Sequence, residues 1–220
     1  MRLPRPPAAV VFDMDGLLFD TEKLYGEAIL SAATELGCEM SLDVFRRCVG
    51  TPWQHNRHTM LEHYGEAFPV DALREAWMRH FNLLIATNVP LKPGVIELLD
   101  CLDDLRLPRA IASSSSHKTV RHHLSAHGLE ARFHGIVAHG DYTASKPSPD
   151  PFLRAAELLE VDPRHCLALE DSLNGIRSAS AAGMMAVMVP DILDPTPEIR
   201  GLCTMVVRDL HEVRDVVLAG

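Results

Sequence analysis

Short apolar runs and helix-period stretches take turns along most of this chain. Ala8-Ala9-Val10-Val11-Phe12 is an unbroken apolar run, with Pro6-Pro7 before it and Asp13 after it. Its length and β-branched content predict a buried strand. Similar runs follow at residues 109–113, 135–138, 166–169 and 184–189, with a short last one near 204–207. Residues 94–105, 118–127, 150–159, 174–182 and 210–218 lie between or after them and read as helices. Alternating strand and helix predict the α/β class, with a parallel sheet covered by helices on both faces.

Residues 21–88 break this rhythm. Tyr25, Ile29, Ala32 and Leu36 recur at helical spacing, and Gly37 is a helix stop. Further helices are expected over 43–48, 54–64 and 71–86, with no strand among them. The expectation is an all-helical cap (21–88) inserted after the first strand of a core made of 1–20 and 89–220. Asn88-Val89-Pro90-Leu91-Lys92-Pro93-Gly94 is the return linker, stiffened by two prolines.

Composition narrows the function. The 220 residues are 47% hydrophobic and 23% charged, which excludes a disordered or low-complexity chain. A formal net charge of -9 argues against nucleic-acid binding, and it obliges any site for a phosphate ester to supply its own positive charge. Cys38, Cys48, Cys101, Cys166 and Cys203 are scattered and form no CxxC pair. That speaks against a zinc site or disulfide framework and fits a reducing cytoplasm. The first residues carry no apolar segment of signal-peptide length, so neither secretion nor a membrane partner is expected.

The chemistry starts at Asp13-Met14-Asp15-Gly16, where the first strand should end. Ligands of open α/β sheets bind beyond the carboxyl ends of strands. A carboxylate is ionised at neutral pH and can attack phosphorus directly, and a neighbouring carboxyl can carry the proton for the leaving oxygen. Repulsion is the obstacle. A unit charge facing a phosphate dianion at ~4 Å costs roughly 8 kcal/mol at an effective dielectric of about 20. Uncorrected, that would slow the reaction about a million-fold. A cation and hydrogen-bond donors are therefore required.

Three later segments can supply them. Ser113-Ser114-Ser115-Ser116 follows the second strand and offers hydroxyl and backbone donors, though a serine run can also be a plain loop or helix cap. Lys146 sits in a loop pinned by Pro147, Pro149 and Pro151, where the plainer reading is a solvated lysine. Glu170-Asp171 ends another strand. Its oxygens suit magnesium, but Asp171 or Ser172 could equally just cap the next helix. Four suitable groups at four strand ends favour a shared site.

Taken together, Asp13-Met14-Asp15-Gly16, Ser113, Lys146 and Glu170-Asp171 resemble the haloacid dehalogenase superfamily of phosphotransferases, over nearly the whole chain. The longer strings from Phe12 to Glu22 and from Leu169 to Gly175 resemble its β-phosphoglucomutase-like branch, which also holds pseudouridine-5′-phosphatase. The resemblance implies a Rossmann-like core and a Mg2+ cofactor. It implies Asp13 as nucleophile and metal ligand, and Asp15 as general acid/base with its carbonyl on the metal. Ser113 and the amide of Ser114 would hold the phosphoryl group, Lys146 would orient nucleophile and phosphate, and Asp171 and Glu170 would be metal ligands. Asp20-Thr21 also matches, and its expected role is to cap the first cap helix.

The expected activity is hydrolysis of a small phosphate monoester, a sugar phosphate or a nucleoside monophosphate. The alternative is a sugar phosphomutase. Tyr25 stands where the mutases of this branch carry a cap histidine, and Val49-Gly50-Thr51-Pro52-Trp53 has no arginine at the place matching the mutases' distal-phosphate residue. Both departures favour water as acceptor. Arg46, Arg47, Arg57, His55 and His58 could still contact a phosphate, or could be a solvated helix face. Trp53 either packs inside the cap or stacks on a substrate ring. A non-catalytic binding protein is a further class, against which the intact acids and lysine speak. The chain is expected to be a monomer or weak homodimer.

Overall fold

The structure, a computed structural model, describes residues 2–49, 53–86 and 89–219. In chain order the elements are β1 (Ala9–Phe12), α1 (Thr21–Leu36), α2 (Leu42–Cys48), α3 (Trp53–Tyr64), α4 (Val70–Ile85), α5 (Val95–Asp104), β2 (Arg109–Ala112), α6 (His117–Ala126), β3 (Gly135–Val137), α7 (Asp150–Leu158), β4 (Cys166–Glu170), α8 (Leu173–Ala181), β5 (Met185–Met188), α9 (Pro197–Leu202), β6 (Met205–Val206) and α10 (Leu210–Leu218). They fall into two compact units, Met1–Phe19 with Leu91–Gly220, and Asp20–Pro90.

The first unit is built on a six-stranded sheet in the order β3-β2-β1-β4-β5-β6. Every pairing is parallel. Val11 stands in register with Ala110 on one side and Ala168 on the other, so β1 lies at the centre. The chain moves outward through β2 and β3, then returns to β4 beside β1 and moves outward the other way. The carboxyl ends of β1 and β4 therefore flank the point where the strand order reverses, where such sheets open a crevice.

Side chains alternate across this sheet. Ala9 and Val11 join Ala110, Ala112, Ala168, Phe152, Ile176 and Ala179 in one buried cluster. Val10 and Phe12 point the other way, and the Phe12 ring meets Phe133 edge-on at 5.7 Å. Both sets are fully buried, which is why the strand reads as a continuous apolar run. Side-chain caps start the helices that leave the strand ends: Ser116 accepts from the Thr119 N–H, and Ser172 from the Gly175 N–H. The short α9 has no counterpart among the expected helices. Thr196 caps it and Pro197 occupies its first turn, a pairing that resembles a loop when read without the cap.

Asp20 corrects one expectation. It stands at the N-cap of α1, but its side chain makes no capping hydrogen bond. Its backbone sits at φ −80°, ψ 55°, outside the extended region from which a cap side chain reaches forward. Just before it, Phe19 is bridged to Leu91, and the Lys92 N–H donates to the Leu18 carbonyl at 2.9 Å.

In the helical unit α1 and α4 lie against each other. The Tyr25 ring packs on Trp77 at 4.3 Å and on Phe81 at 4.7 Å, and the Trp77 indole N–H donates to the Tyr25 carbonyl. Among the described residues no helix is long and apolar enough to cross a membrane.

Candidate active site

Asp13 follows β1 directly, and its N–H still reaches the Leu169 carbonyl on β4 at 3.0 Å. The ladder thus fixes the backbone of Asp13 against the strand that carries Glu170. Glu170 is the last residue of β4 and is fully buried. Lys146 comes from the loop before α7 and lies between them. Its Nζ donates to Asp13 Oδ1 at 2.5 Å and to Glu170 Oε1 at 2.7 Å. All three side chains are at least nine-tenths buried or close to it, at 7% exposure for Lys146, 11% for Asp13 and 1% for Glu170. The plain reading of Lys146 as a solvated loop lysine is therefore excluded.

Glu170 is held at both oxygens. Its Oε2 accepts from the Ser172 N–H at 2.8 Å and from the Ser172 hydroxyl at 2.9 Å. Ser172, not Asp171, is the cap of α8, so the cap function falls on the serine and Asp171 is not spent on it. Two glycines make room for the acids. A β-carbon on Gly175 would fall on the Glu170 carboxyl, and one on Gly16, at φ +80°, would fall on the Asp171 carboxyl. Ser178 steadies the Lys146 loop from α8, donating its hydroxyl to the Ser148 carbonyl at 2.5 Å.

The serine run divides. Ser113 is buried, its N–H donates to the Val137 carbonyl, and its Oγ accepts from the Ser115 N–H at 2.9 Å. Ser114 is exposed. Ser115 donates its hydroxyl to Asp15 Oδ2 at 2.8 Å, and Ser116 caps α6. Serine repetition hides this division in the sequence; so does the role of Ser178, for which the sequence carries no signal.

Charge is unbalanced here. Burial pushes the Asp13 carboxyl up to about 7, with Glu170 and Asp15 adding to the effect and Lys146 opposing it. Burial likewise raises Asp15, against the Ser115 hydrogen bond and Lys146. Burial works against the Lys146 ammonium, but Asp13 and Glu170 outweigh it and hold its pKa above the ordinary lysine value. One ammonium serves several carboxyls, and the site is short of positive charge.

A divalent cation fits that shortage. Asp13, Glu170 and Asp171 each offer a carboxylate oxygen, and these atoms all lie within 4.8 Å of one another. Hard oxygen donors of this kind suit magnesium or calcium better than a thiophilic metal. Among the described residues no other cluster of histidine, cysteine and carboxylate side chains comes together in this way.

The expected substrate residues Tyr25 and Trp53 belong to the helical unit. Tyr25 is half-buried in the aromatic cluster, and the Arg74 guanidinium lies over the Trp53 ring at 4.6 Å, covering one of its faces. Arg46 pairs with Asp43, and Arg57 approaches Asp71. Gly50-Thr51-Pro52, part of the segment compared with the mutases, and Asn88 of the return linker lie outside the described residues.

Comparison with known proteins supports one family. The model of the haloacid dehalogenase-like hydrolases matches residues 10–189. The Drosophila melanogaster protein named Probable pseudouridine-5'-phosphatase is 35% identical over 188 residues, covering 82% of this chain and 80% of its own. Hexitol phosphatase B of Escherichia coli (strain K12) is 32% identical over 197 residues, covering 86% of each. The crystal structure of a haloacid dehalogenase family hydrolase from Deinococcus radiodurans R1, with bound phosphate and sodium, superposes with a TM-score of 0.84 at 25% identity, covering 97% of this chain and 96% of that one. With a buried acid–lysine–acid cluster at the switch point of a parallel sheet and a family match across most of its length, the chain belongs to the haloacid dehalogenase-like hydrolases.

Proposed function

We propose that this enzyme is a magnesium-dependent phosphatase that hydrolyses a small phosphate monoester through an aspartyl-phosphate on Asp13. The observation that carries the reading is Asp13 Oδ1 held by Lys146 Nζ at 2.5 Å, with Glu170 and Asp171 within metal-sharing distance. The Asp13 carboxylate attacks phosphorus as the ester P–O bond breaks, and Asp15 gives its proton to the leaving oxygen. Asp15 then takes a proton from water, which attacks phosphorus, breaks the bond to Asp13 and releases phosphate. Ser113 Oγ accepts from Ser115, so its own proton is left for a phosphoryl oxygen, with the Ser114 amide as a second donor. Lys146 offsets the charge of Asp13 and the phosphoryl group. Magnesium, held by Asp13, Asp171, Glu170 and the Asp15 carbonyl, would neutralise phosphoryl charge when bound.

In this reading residues 1–20 and 89–220 are the catalytic core and 21–88 a cap that selects the substrate, with Tyr25 and Trp53 as cap contacts. The names of the two relatives, a pseudouridine-5'-phosphatase and a hexitol phosphatase, support a sugar phosphate or nucleoside monophosphate. All five cysteines are free thiols, which supports a cytoplasmic setting.

The test is rapid acid quench with a substrate labelled at phosphorus, followed by peptide mapping. Label is expected on the peptide carrying Asp13, and Asp13→Asn is expected to abolish both label and turnover while keeping the fold. Turnover at the wild-type rate by Asp13→Asn would exclude the covalent route.

A further inference from the structure

The Ser115 hydroxyl has no place in the steps above, yet the residue is tied down at three atoms. Its N–H donates to Ser113 Oγ at 2.9 Å, and its carbonyl accepts the His139 N–H at 2.9 Å. Its hydroxyl donates to Asp15 Oδ2 at 2.8 Å. The residues it joins sit on the loops after β1, β2 and β3, three neighbouring strands of the sheet. A hundred positions separate Ser115 from Asp15, so this is a tertiary contact and not a local turn. Among the described residues Ser115 is the only hydrogen-bond partner of the Asp15 carboxyl.

We propose that Ser115 is the positioning residue for Asp15, fixing the carboxyl that carries the proton in both halves of the reaction. The proposal rests on the phosphatase reading above. A carboxyl on a short side chain can turn about two bonds, and proton transfer tolerates little misplacement. Ser115 is itself immobilised through its backbone, so its hydroxyl offers a fixed donor. With Oδ2 engaged by Ser115, Oδ1 is the oxygen left to serve the leaving oxygen and later the attacking water. The serine run then has separate duties: Ser113 and Ser114 face the phosphoryl group, Ser115 orients the acid, and Ser116 starts α6. Ser115 acts through Asp15 and not on phosphate.

That difference decides the test. Ser115→Ala and Ser115→Thr are compared with wild type on two substrates with magnesium present. One is p-nitrophenyl phosphate, whose leaving group needs no proton; the other is a hexitol 6-phosphate, whose alkoxide does. Ser115→Ala is expected to lower kcat on the hexitol phosphate at least tenfold with KM within twofold. On p-nitrophenyl phosphate it should release one equivalent of p-nitrophenolate rapidly and then turn over slowly, because only the water step still needs the acid. Ser115→Thr keeps a hydroxyl and should stay within threefold of wild type in kcat. A rise in KM on both substrates at unchanged kcat would make Ser115 a phosphate ligand and overturn the proposal. So would wild-type kinetics for Ser115→Ala. Asp13→Asn run alongside separates the two readings: an inactive Asp13→Asn beside a wild-type Ser115→Ala sinks only the positioning role.

Discussion

Gly175, in the first turn of α8, lies directly beneath the carboxyl of Glu170, so that any β-carbon there would collide with it. The glycine lets the last residue of β4 fold against the start of the next helix. Gly175→Ala should thus move the acid and not the backbone, since the clash is with the end of a flexible side chain. Alanine gains about 1 kcal/mol of helix propensity, but driving the buried Glu170 carboxyl off Lys146 and Ser172 breaks a buried pair, which costs about 3–5 kcal/mol, so stability should fall by a few kcal/mol. Activity should fall with it, because Glu170 would leave Lys146 and Ser172. A loss of kcat/KM of about 100-fold or more is expected in protein that is still folded at the assay temperature. Steady-state assays beside thermal unfolding check it; wild-type kcat/KM in Gly175→Ala would show that Glu170 keeps its place.

Lys146→Met should harm both activity and stability. It leaves Asp13 and Glu170 buried together without their shared ammonium. Breaking a buried pair in this way typically costs about 3–5 kcal/mol. The loss in kcat is expected to be about 100-fold to 1,000-fold, comparable with removing one preorganised donor. Lys146→Arg should not restore it, because a planar fork does not reproduce a point charge between two carboxylates. Denaturant unfolding and kcat measured on the same samples test both halves.

Removal of divalent metal should stop turnover, and magnesium should restore it. Binding should also register without any assay. A ligand that binds only the folded state at 100 times its Kd stabilises by about 2.7 kcal/mol, so Tm should rise with added magnesium. Asp171→Asn should abolish most of that rise, because Asp171 supplies one oxygen of the trio. A magnesium-dependent Tm unchanged in Asp171→Asn would remove this residue from the metal site.

Acid should weaken the fold through His123. This ring is buried on α6, 5.4 Å from the Phe19 ring, and burial lowers its pKa below the ordinary 6.5, helped by His122 and His127. The folded state therefore prefers the neutral ring more than the unfolded chain does. Its contribution is complete above the unfolded value and is lost as pH falls below 6.5 through the lowered folded value. Chemical denaturation at about pH 8 and about pH 5 should show a smaller stability loss for His123→Gln than for wild type. Equal pH dependence in the two proteins would place the titration elsewhere.

How far the sequence disclosed these features depends on how local each one is. The strands are legible because Val10, Phe12 and their neighbours are buried on both faces, which leaves an apolar run with no polar interruption. Gly37 ends α1 in the left-handed conformation, as its identity and position suggest. Asp20 is less legible: its residue type promises a cap, but the backbone angle that decides the matter is set by tertiary structure. The meeting of Asp13, Lys146 and Glu170 could be read only from strand-end spacing, and its buried geometry only from the fold. Ser115 and Ser178 were not legible at all, since a hydroxyl that bonds across a hundred residues, or to a distant carbonyl, leaves no local mark.

The bridge between Phe19 and Leu91 has a consequence for how such a chain can change. The polypeptide leaves the sheet and comes back through a single doorway, already latched by its own backbone. Closing a doorway of that kind costs only slightly more for a long excursion than for a short one. Evolution, or an engineer, can therefore exchange the seventy or so intervening residues as a cassette and leave the strand register untouched. If that segment selects the substrate, as proposed, new specificity can be acquired without the risk of unravelling the sheet.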